Sequence, residues 1–190
     1  MDLLKDRIIK DGVVIENRIL KVDSFLNHQM DVKLFNEIGK EFKKRFKNQH
    51  ITKILTIESS GIAIAIIAAQ YFNVPVVFAK KTAGSNMNSL TYEAKVYSFT
   101  KDIEYTIKVS KEYINKGDKI LIIDDFLASG SAVSGLMEIV LKGGASVCGV
   151  GIVIEKFFQN GRDTIIKKGI QLESLVVIEN MKNGKVIFRE

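Results

Sequence analysis

The stretch that most constrains this chain is an apolar run at residues 121–123 that ends in two adjacent carboxylates, Asp124 and Asp125. A turn-forming segment precedes the run, which indicates a short buried strand. Residues 131–142 place apolar side chains on one helical face and end at two glycines, which indicates a helix. The segment therefore predicts a strand, an acidic pair, a loop of small residues and a helix, in that order.

The loop at residues 128–132 contains only Ala, Ser and Gly, and it would lie at the amino terminus of the predicted helix. Main-chain N–H groups and the helix dipole favour an anion at that place, and small residues let the anion approach closely. The loop therefore predicts a phosphate site. Asp124 and Asp125 would repel the phosphate, so we expect them to accept hydrogen bonds from sugar hydroxyls or to face a magnesium ion. The alternative is an ordinary strand whose acids cap the next helix.

The whole segment resembles the phosphoribosyl pyrophosphate (PRPP) signature of the type I phosphoribosyltransferases. That signature has a hydrophobic strand, two acidic residues, two apolar residues and a loop usually rich in Thr and Gly. Here Ser stands where Thr is common, which keeps the hydroxyl. The resemblance implies that the acidic pair is the catalytic centre, and that PRPP is bound by Ala128, Ser129, Gly130, Ser131 and Ala132.

The remaining chain alternates strands with helices. An apolar helix is predicted at residues 61–72, and strands are predicted at 52–57, 74–78, 93–99, 105–110, 146–154, 175–178 and 185–188. This alternation predicts an α/β fold with a mostly parallel central sheet flanked by helices, whose ligands bind at the carboxyl ends of the strands. The family resemblance implies the type I phosphoribosyltransferase fold, with a small hood over the base site. The 190 residues, 46% of them hydrophobic, fit a single domain over 1–190, with residues 1–30 contributing to the hood.

Composition limits where the protein can be located in the cell and which partners it can bind. The chain has no apolar stretch long enough to span a membrane and no signal peptide, so we expect a cytoplasmic protein without a membrane partner. A net charge of +6 suits anionic partners. Much of it lies on an amphipathic helix at about residues 31–47, whose basic face we interpret as solvated and not as a nucleic-acid site. The single Cys148 is predicted to be a small core residue.

A second small polar loop follows the strand that ends at Ile57. Glu58 is followed there by Ser59, Ser60 and Gly61 at the start of an apolar helix, which makes this loop a second candidate anion site. A Ser helix cap is the alternative. The family resemblance implies that these two serines and the glycine bind pyrophosphate.

A long polar segment at residues 80–90 follows the strand predicted to end at Ala79. Such segments are lids or bare surface loops. In the resembled family a mobile loop here closes over PRPP, which implies that Lys80 or Lys81 meets the pyrophosphate.

A lysine and two aromatic residues, Lys156, Phe157 and Phe158, follow the strand at 146–154. Lysine only donates hydrogen bonds, so it favours a 6-oxopurine over the amino group of adenine. The alternative is a surface lysine that covers a hydrophobic edge. The segment at 11–31 is too polar for another core strand and is predicted to form a flap.

The flap, together with residues 58–61, the acidic pair and residues 155–156, resembles the bacterial xanthine phosphoribosyltransferases over most of the chain. That resemblance implies transfer of the 5-phosphoribosyl group from PRPP to N9 of xanthine, with xanthosine 5′-monophosphate and pyrophosphate as products. It implies that Leu20, Asn27 and Lys156 contact the base, that Mg²⁺ is bound mainly through PRPP, and that the chain forms a homodimer. Two alternatives stay open: the same reaction on guanine or hypoxanthine, and a PRPP-sensing regulator on the same fold.

Overall fold

The structure, a computed structural model, describes residues 1–82, 90–98 and 103–190. A π-helical turn at Asp23–Asn27 is part of the flap. The helices are α1 (Asp2–Asp11), α2 (Val32–Arg45), α3 (Ser60–Phe72), α4 (Ser131–Lys142) and α5 (Gly161–Ile166). The strands are β1 (Val13–Ile15), β2 (Ile19–Lys21), β3 (Lys53–Ile57), β4 (Val76–Thr82), β5 (Thr91–Ser98), β6 (Ile103–Ser110), β7 (Lys119–Leu127), β8 (Ser146–Lys156), β9 (Leu172–Lys182) and β10 (Lys185–Phe188).

Eight strands form one central sheet in the order β10-β9-β8-β7-β3-β4-β6-β5. The five central strands from β9 to β4 pair in parallel, whereas β10, β6 and β5 pair antiparallel at the two edges. Helices α1, α2 and α3 pack on one apolar cluster of the sheet and α4 packs on the other. The predicted α/β fold with a mostly parallel sheet is confirmed, and in folds of this kind ligands bind at the carboxyl ends of the central strands.

Strands β7 and β4 run further than the sequence predicts. The ladder between β7 and β8 continues to Leu127 opposite Glu155, so the acidic pair lies inside the strand and not beyond its end. Likewise Lys80 and Lys81 pair with β6, so they belong to β4 and not to a loop. Polar residues at strand ends interrupt the hydrophobic pattern before the hydrogen-bond ladder stops. The rest of the predicted lid, residues 83–89, lies outside the described residues.

The amino-terminal flap is a small unit tied into the main core. As predicted, it adds no strand to the central sheet: β1 and β2 form a separate antiparallel hairpin, with Leu20 opposite Val14. The π-helical turn buries Phe25 and Leu26 completely, and both belong to the cluster under α2. Burial of these apolar side chains therefore fixes the position of the neighbouring polar residues of the flap.

Two smaller expectations can be compared with the structure. Cys148 was predicted to be a core residue, but it is only partly buried and packs against the core cluster from outside; burial raises the pKa of its thiol. Helix α2 begins after Asp31, whose carboxylate accepts a hydrogen bond of 3.1 Å from the N–H of Leu34. Within the described ranges no helix has the length and apolar character needed to cross a membrane.

Candidate active site

The loop at residues 128–132, which we call the phosphate loop after its predicted ligand, turns into α4 at Gly130. This glycine has φ +84°, a left-handed conformation that other residues adopt only with strain. Its carbonyl oxygen accepts the 2.9 Å hydrogen bond from the N–H of Ser134. The hydroxyls of Ser129 and Ser131 lie 3.0 Å apart. The loop therefore presents the N–H groups of the first helical turn and two adjacent hydroxyls, a combination that suits an anion.

Gly161 supports the phosphate loop from behind. Its N–H donates a 3.1 Å hydrogen bond to the carbonyl oxygen of Ala128. A Cβ atom on Gly161 would lie 2.3 Å from that oxygen and 2.8 Å from the nitrogen of Gly130, so no side chain fits there. In front of the loop lies a cavity of about 140 Å³, whose walls include Tyr105 and Phe126.

The two carboxylates next to the loop have different environments. Asp124 is 4% exposed, and one of its oxygens accepts a 3.0 Å hydrogen bond from the N–H of Asp125. Asp125 is less buried and accepts a 2.9 Å hydrogen bond from the N–H of Phe126. Burial, reinforced by the neighbouring Asp125 charge, raises the pKa of Asp124 well above its usual range. The pair therefore joins one buried carboxyl group to one that is partly exposed.

The second loop, residues 58–61, lies directly against the acidic pair. The peptide bond between Glu58 and Ser59 is cis, and the Ser59 side chain makes no capping hydrogen bond to α3. A Cβ atom on Gly61 would lie 2.1 Å from Oγ1 of Thr56 and 3.2 Å from Oδ1 of Asp124. The structure thus brings two predicted anion loops and the carboxylates into one site, and it disfavours a Ser cap.

Lys81 joins this site from β4. Its N–H donates a short hydrogen bond to the Glu58 carboxylate, and its ammonium group lies 5.6 Å from the centre of the Tyr105 ring. Its positive charge also lowers the pKa of Asp124, against the larger effect of burial. Lys80 precedes it on the same strand, so its side chain points to the opposite face.

Lys156, the last residue of β8, faces the flap. Its ammonium group donates a 3.3 Å hydrogen bond to the carbonyl oxygen of Arg18 and lies 5.4 Å from the centre of the Phe126 ring. Burial lowers its pKa. The lysine therefore connects the flap with the strand that carries the acidic pair, rather than covering an outer edge of the protein.

The two flap residues of the predicted base site differ in exposure. Asn27 ends the π-helical turn, and its side-chain oxygen is buried without a hydrogen-bond partner in the described chain. Leu20 is 5% exposed and packs into the core cluster. An unpaired buried acceptor is costly unless a ligand satisfies it, so Asn27 fits a binding role. The Leu20 contact stays a prediction that rests on resemblance.

Sequence reasoning missed three contributors to the site. Thr56 is fully buried with an unpaired hydroxyl, and its only sequence signal is a polar residue between the apolar Leu55 and Ile57. Phe126 lies under the Lys156 ammonium group, although its position suggested only an apolar residue after the acids. Glu155 pairs with Arg162 across the turn after β8, a contact that no local spacing predicts.

Two observations concern what else the described residues could bind. Across residues 1–82, 90–98 and 103–190, no group of three or more His, Cys, Asp or Glu side chains is arranged to hold a metal ion. A larger cavity of about 660 Å³ lies between α1 and α2, and no predicted site residue lines it. The predicted chemistry is therefore concentrated at the carboxyl edge of the sheet.

Comparisons with known proteins agree with this arrangement. Residues 22–179 match the phosphoribosyl transferase domain family. The chain is 69% identical to a xanthine phosphoribosyltransferase of Clostridium tetani over the full length of both chains, and 67% identical to one of Clostridium novyi over 100% of each chain. Among solved structures, an adenine phosphoribosyltransferase of Rhodothermus marinus aligns with a TM-score of 0.73 at 21% identity, over 93% of this chain and 99% of that one.

Proposed function

The chain belongs to the phosphoribosyltransferase family, and on that basis we propose that it transfers the phosphoribosyl group of PRPP to N9 of xanthine. A bond forms between N9 and C1 of the ribose while the bond from C1 to pyrophosphate breaks. The ring proton of the base passes to solvent or to the departing pyrophosphate, and the products are xanthosine 5′-monophosphate and pyrophosphate. The observation that carries the proposal is the junction of two anion loops and an acidic pair at one sheet edge.

Three sets of residues in the PRPP half would bind three different parts of PRPP. The loop at 128–132 would hold the 5′-phosphate through main-chain N–H groups and the Ser129 and Ser131 hydroxyls. Residues 59–61 and Lys81 would hold the pyrophosphate. The acidic pair would accept hydrogen bonds from the ribose hydroxyls, which lie between the two phosphate groups of the substrate.

The same arrangement stabilises the charge that develops during transfer. The ribose passes through an oxocarbenium-like state, so positive charge grows at C1 while the pyrophosphate leaves. The acidic pair supplies negative charge next to the ribose, and the Lys81 ammonium group supplies positive charge next to the leaving group. Fixed charges and dipoles of this kind need no reorganisation during the reaction, which makes positioning the main work of the protein.

The base half would read the two oxygens of xanthine. Lys156 donates to the 6-oxo group when it exchanges the Arg18 carbonyl for the ligand. Asn27 offers an amide whose oxygen lacks a partner, so it can accept from a ring N–H while its NH₂ group donates to the 2-oxo group. Guanine carries a donor, the 2-amino group, where xanthine carries the 2-oxo acceptor, so an amide NH₂ group that donates at position 2 matches xanthine better. Leu20 would cover one face of the ring.

Magnesium would enter the site with PRPP. The donor set fits this role, because Asp125 is the less buried carboxylate next to the ribose position and a hard cation takes most of its ligands from polyphosphate oxygens and water. When bound, the ion neutralises charge on the leaving pyrophosphate. The chain's own residues position the sugar and the phosphate groups around it.

We infer that the chain acts as a homodimer, which is supported by the family and by exposed apolar side chains such as Ile66 and Phe78 on α3 and β4. A cytoplasmic location agrees with the chemistry, since PRPP is a metabolite of that compartment. Sedimentation equilibrium of the purified chain tests the dimer.

The experiment that tests the activity is pyrophosphate release from PRPP with xanthine, guanine, hypoxanthine, adenine, uracil and orotate, each as the only acceptor. We expect the highest kcat/KM with xanthine. A higher value with guanine or hypoxanthine would assign the chain to the alternative 6-oxopurine activity. PRPP binding without turnover of any base would instead favour the regulator.

A further inference from the structure

A fully buried carboxylate lies directly before the base-binding lysine. Glu155 is 1% exposed, and its two oxygens accept hydrogen bonds of 2.7 Å and 2.6 Å from Nε and an Nη atom of Arg162. The hydroxyl of Ser174 on β9 donates a short bond to the same carboxylate. The buried negative charge of Glu155 is thus compensated. The two parallel hydrogen bonds from the Arg162 guanidinium group fix both the distance and the relative orientation of the two side chains.

The ion pair closes the turn between β8 and α5. Glu155 lies at one end of this turn next to Lys156, and Arg162 lies at the other end in the first turn of α5. Because Glu155 and Arg162 belong to the two ends of the turn, their bidentate contact holds these ends at a fixed separation. Movement of Arg162 would therefore move the start of α5.

The start of α5 in turn supports the phosphate loop. Gly161 precedes Arg162 and contacts the main chain of Ala128 and Gly130 with no room for a Cβ atom. Its N–H donates to the Ala128 carbonyl oxygen. The phosphate loop therefore rests on a residue whose neighbour is locked to Glu155. One ion pair connects the side of the site that would bind the base with the side that would bind the 5′-phosphate.

We propose that Arg162 is a positioning residue of the transfer reaction, which sets the distance between the phosphate loop and Lys156 through its bidentate contact with Glu155. This inference rests on the proposed function, since those two groups would hold opposite ends of the forming nucleotide. Misplacing reacting groups by about 1 Å can cost about a hundred-fold in rate. Loss of the bidentate contact should therefore affect PRPP and base together.

The chain offers a matched control at the opposite end of the sheet. The ammonium group of Lys53 lies 2.6 Å from the Asp118 carboxylate, and both side chains are largely buried. This pair joins β3 to the segment before β7, away from the carboxyl ends of the strands. Its removal should lower stability without changing the site.

The experiment compares Arg162→Met, Arg162→Lys, the double variant Glu155→Gln with Arg162→Met, and Lys53→Met. Each is measured for Tm, for the Kd of PRPP by calorimetry, and for kcat and KM with PRPP and xanthine. The double variant removes the unpaired buried charge, so we expect its Tm to recover relative to Arg162→Met. We expect its Kd for PRPP and its KM for xanthine both to stay about ten-fold or more above wild type. Arg162→Lys should restore only part of the lost affinity for PRPP and xanthine, because lysine cannot form the bidentate contact with Glu155.

A double variant with wild-type Kd and KM values would overturn the inference, and so would a Lys53→Met variant with an equal kinetic defect. If Arg162→Met or the double variant does not fold, Arg162→Lys decides the question through the same constants. A wild-type protein that binds PRPP but transfers to no base would overturn the proposed function, whereas the Kd comparison would still test the positioning role. A wild-type protein that does not bind PRPP would overturn both.

Discussion

The PRPP half and the base half of this site are built in different ways. The predicted PRPP half consists of two short loops at neighbouring strands, packed tightly at Gly161 against main-chain atoms and at Gly61 against the side chains of Thr56 and Asp124. The base half joins residues that are far apart in the chain, since Lys156 on β8 contacts Arg18 on the flap. The groups in the PRPP half would bind PRPP whichever base accepts the phosphoribosyl group. The base half holds the side chains that would choose among bases.

The two halves therefore differ in which residues can be replaced without disturbing the fold. A glycine that contacts a neighbouring main chain cannot be replaced without moving a loop, because there is no flexible side chain to yield. Side chains on the flap can be replaced while the sheet stays intact, because the hairpin is a separate two-stranded unit. We therefore expect changes in the PRPP half to affect all bases equally, and changes in the base half to affect them selectively.

The largest effect should come from the acidic pair. Replacing both residues, Asp124→Asn with Asp125→Asn, removes the negative charge next to the developing cationic ribose while keeping the shape of the side chains. We expect kcat with PRPP and xanthine to fall at least about a thousand-fold, with an unchanged far-ultraviolet circular dichroism spectrum. Near-normal turnover by this variant would remove the pair from the catalytic centre.

The next largest effect should come from Gly130→Val in the phosphate loop. A β-branched residue at φ +84° is strained, and its Cβ atom would lie 3.1 Å from the carbonyl oxygen of Gly161. We expect PRPP to bind about ten- to a hundred-fold more weakly by calorimetry. Gly117→Val is the matched control, since Gly117 has φ +90° with nothing within 4 Å of a Cβ atom. Equal losses of PRPP affinity in both variants would contradict the phosphate role.

A smaller effect is expected for Gly61→Ala. The added Cβ atom would lie 2.1 Å from Oγ1 of the buried Thr56, so either the Thr56 side chain or the loop before α3 must shift. We expect the KM for PRPP to rise about ten-fold. Adding Thr56→Ala removes the clashing oxygen and should recover most of the lost Tm and part of the KM. A Gly61→Ala variant with wild-type constants would show that this contact does not constrain the loop.

The smallest effect is a gain in stability for Asp124→Asn alone. Burial raises the pKa of Asp124, so its charged form costs folding free energy at neutral pH. We therefore expect the Asp124→Asn variant to have a higher Tm than wild type at neutral pH. The gain should be complete above the raised pKa of the folded protein and should disappear below the ordinary pKa of the unfolded chain. A variant that melts below wild type at pH 8 would contradict this.

The sequence predicted the PRPP half far better than the base half, for a physical reason. Residues 119–142 encode a strand, an acidic pair, a loop and a helix contiguously, and α4 begins and ends where its apolar periodicity predicts. The end of β7 was predicted wrongly because charged residues continue the hydrogen-bond ladder after the apolar pattern stops. Asn27 and Lys156 share no spacing or periodicity, so only a family resemblance could associate them. The Glu155–Arg162 pair was missed because it depends on burial against β9.

The most direct measurement is the xanthine-to-guanine ratio of kcat/KM for wild type, Gly130→Val and Asn27→Asp. An aspartate only accepts hydrogen bonds, so it would leave the 2-oxo group of xanthine unpaired but could accept from the 2-amino group of guanine. We expect a ratio above one for wild type, an unchanged ratio for Gly130→Val, and a ratio about ten- to a hundred-fold lower for Asn27→Asp. A ratio that moves with Gly130→Val, or that does not move with Asn27→Asp, would contradict the division of the site into a shared PRPP half and a selective base half.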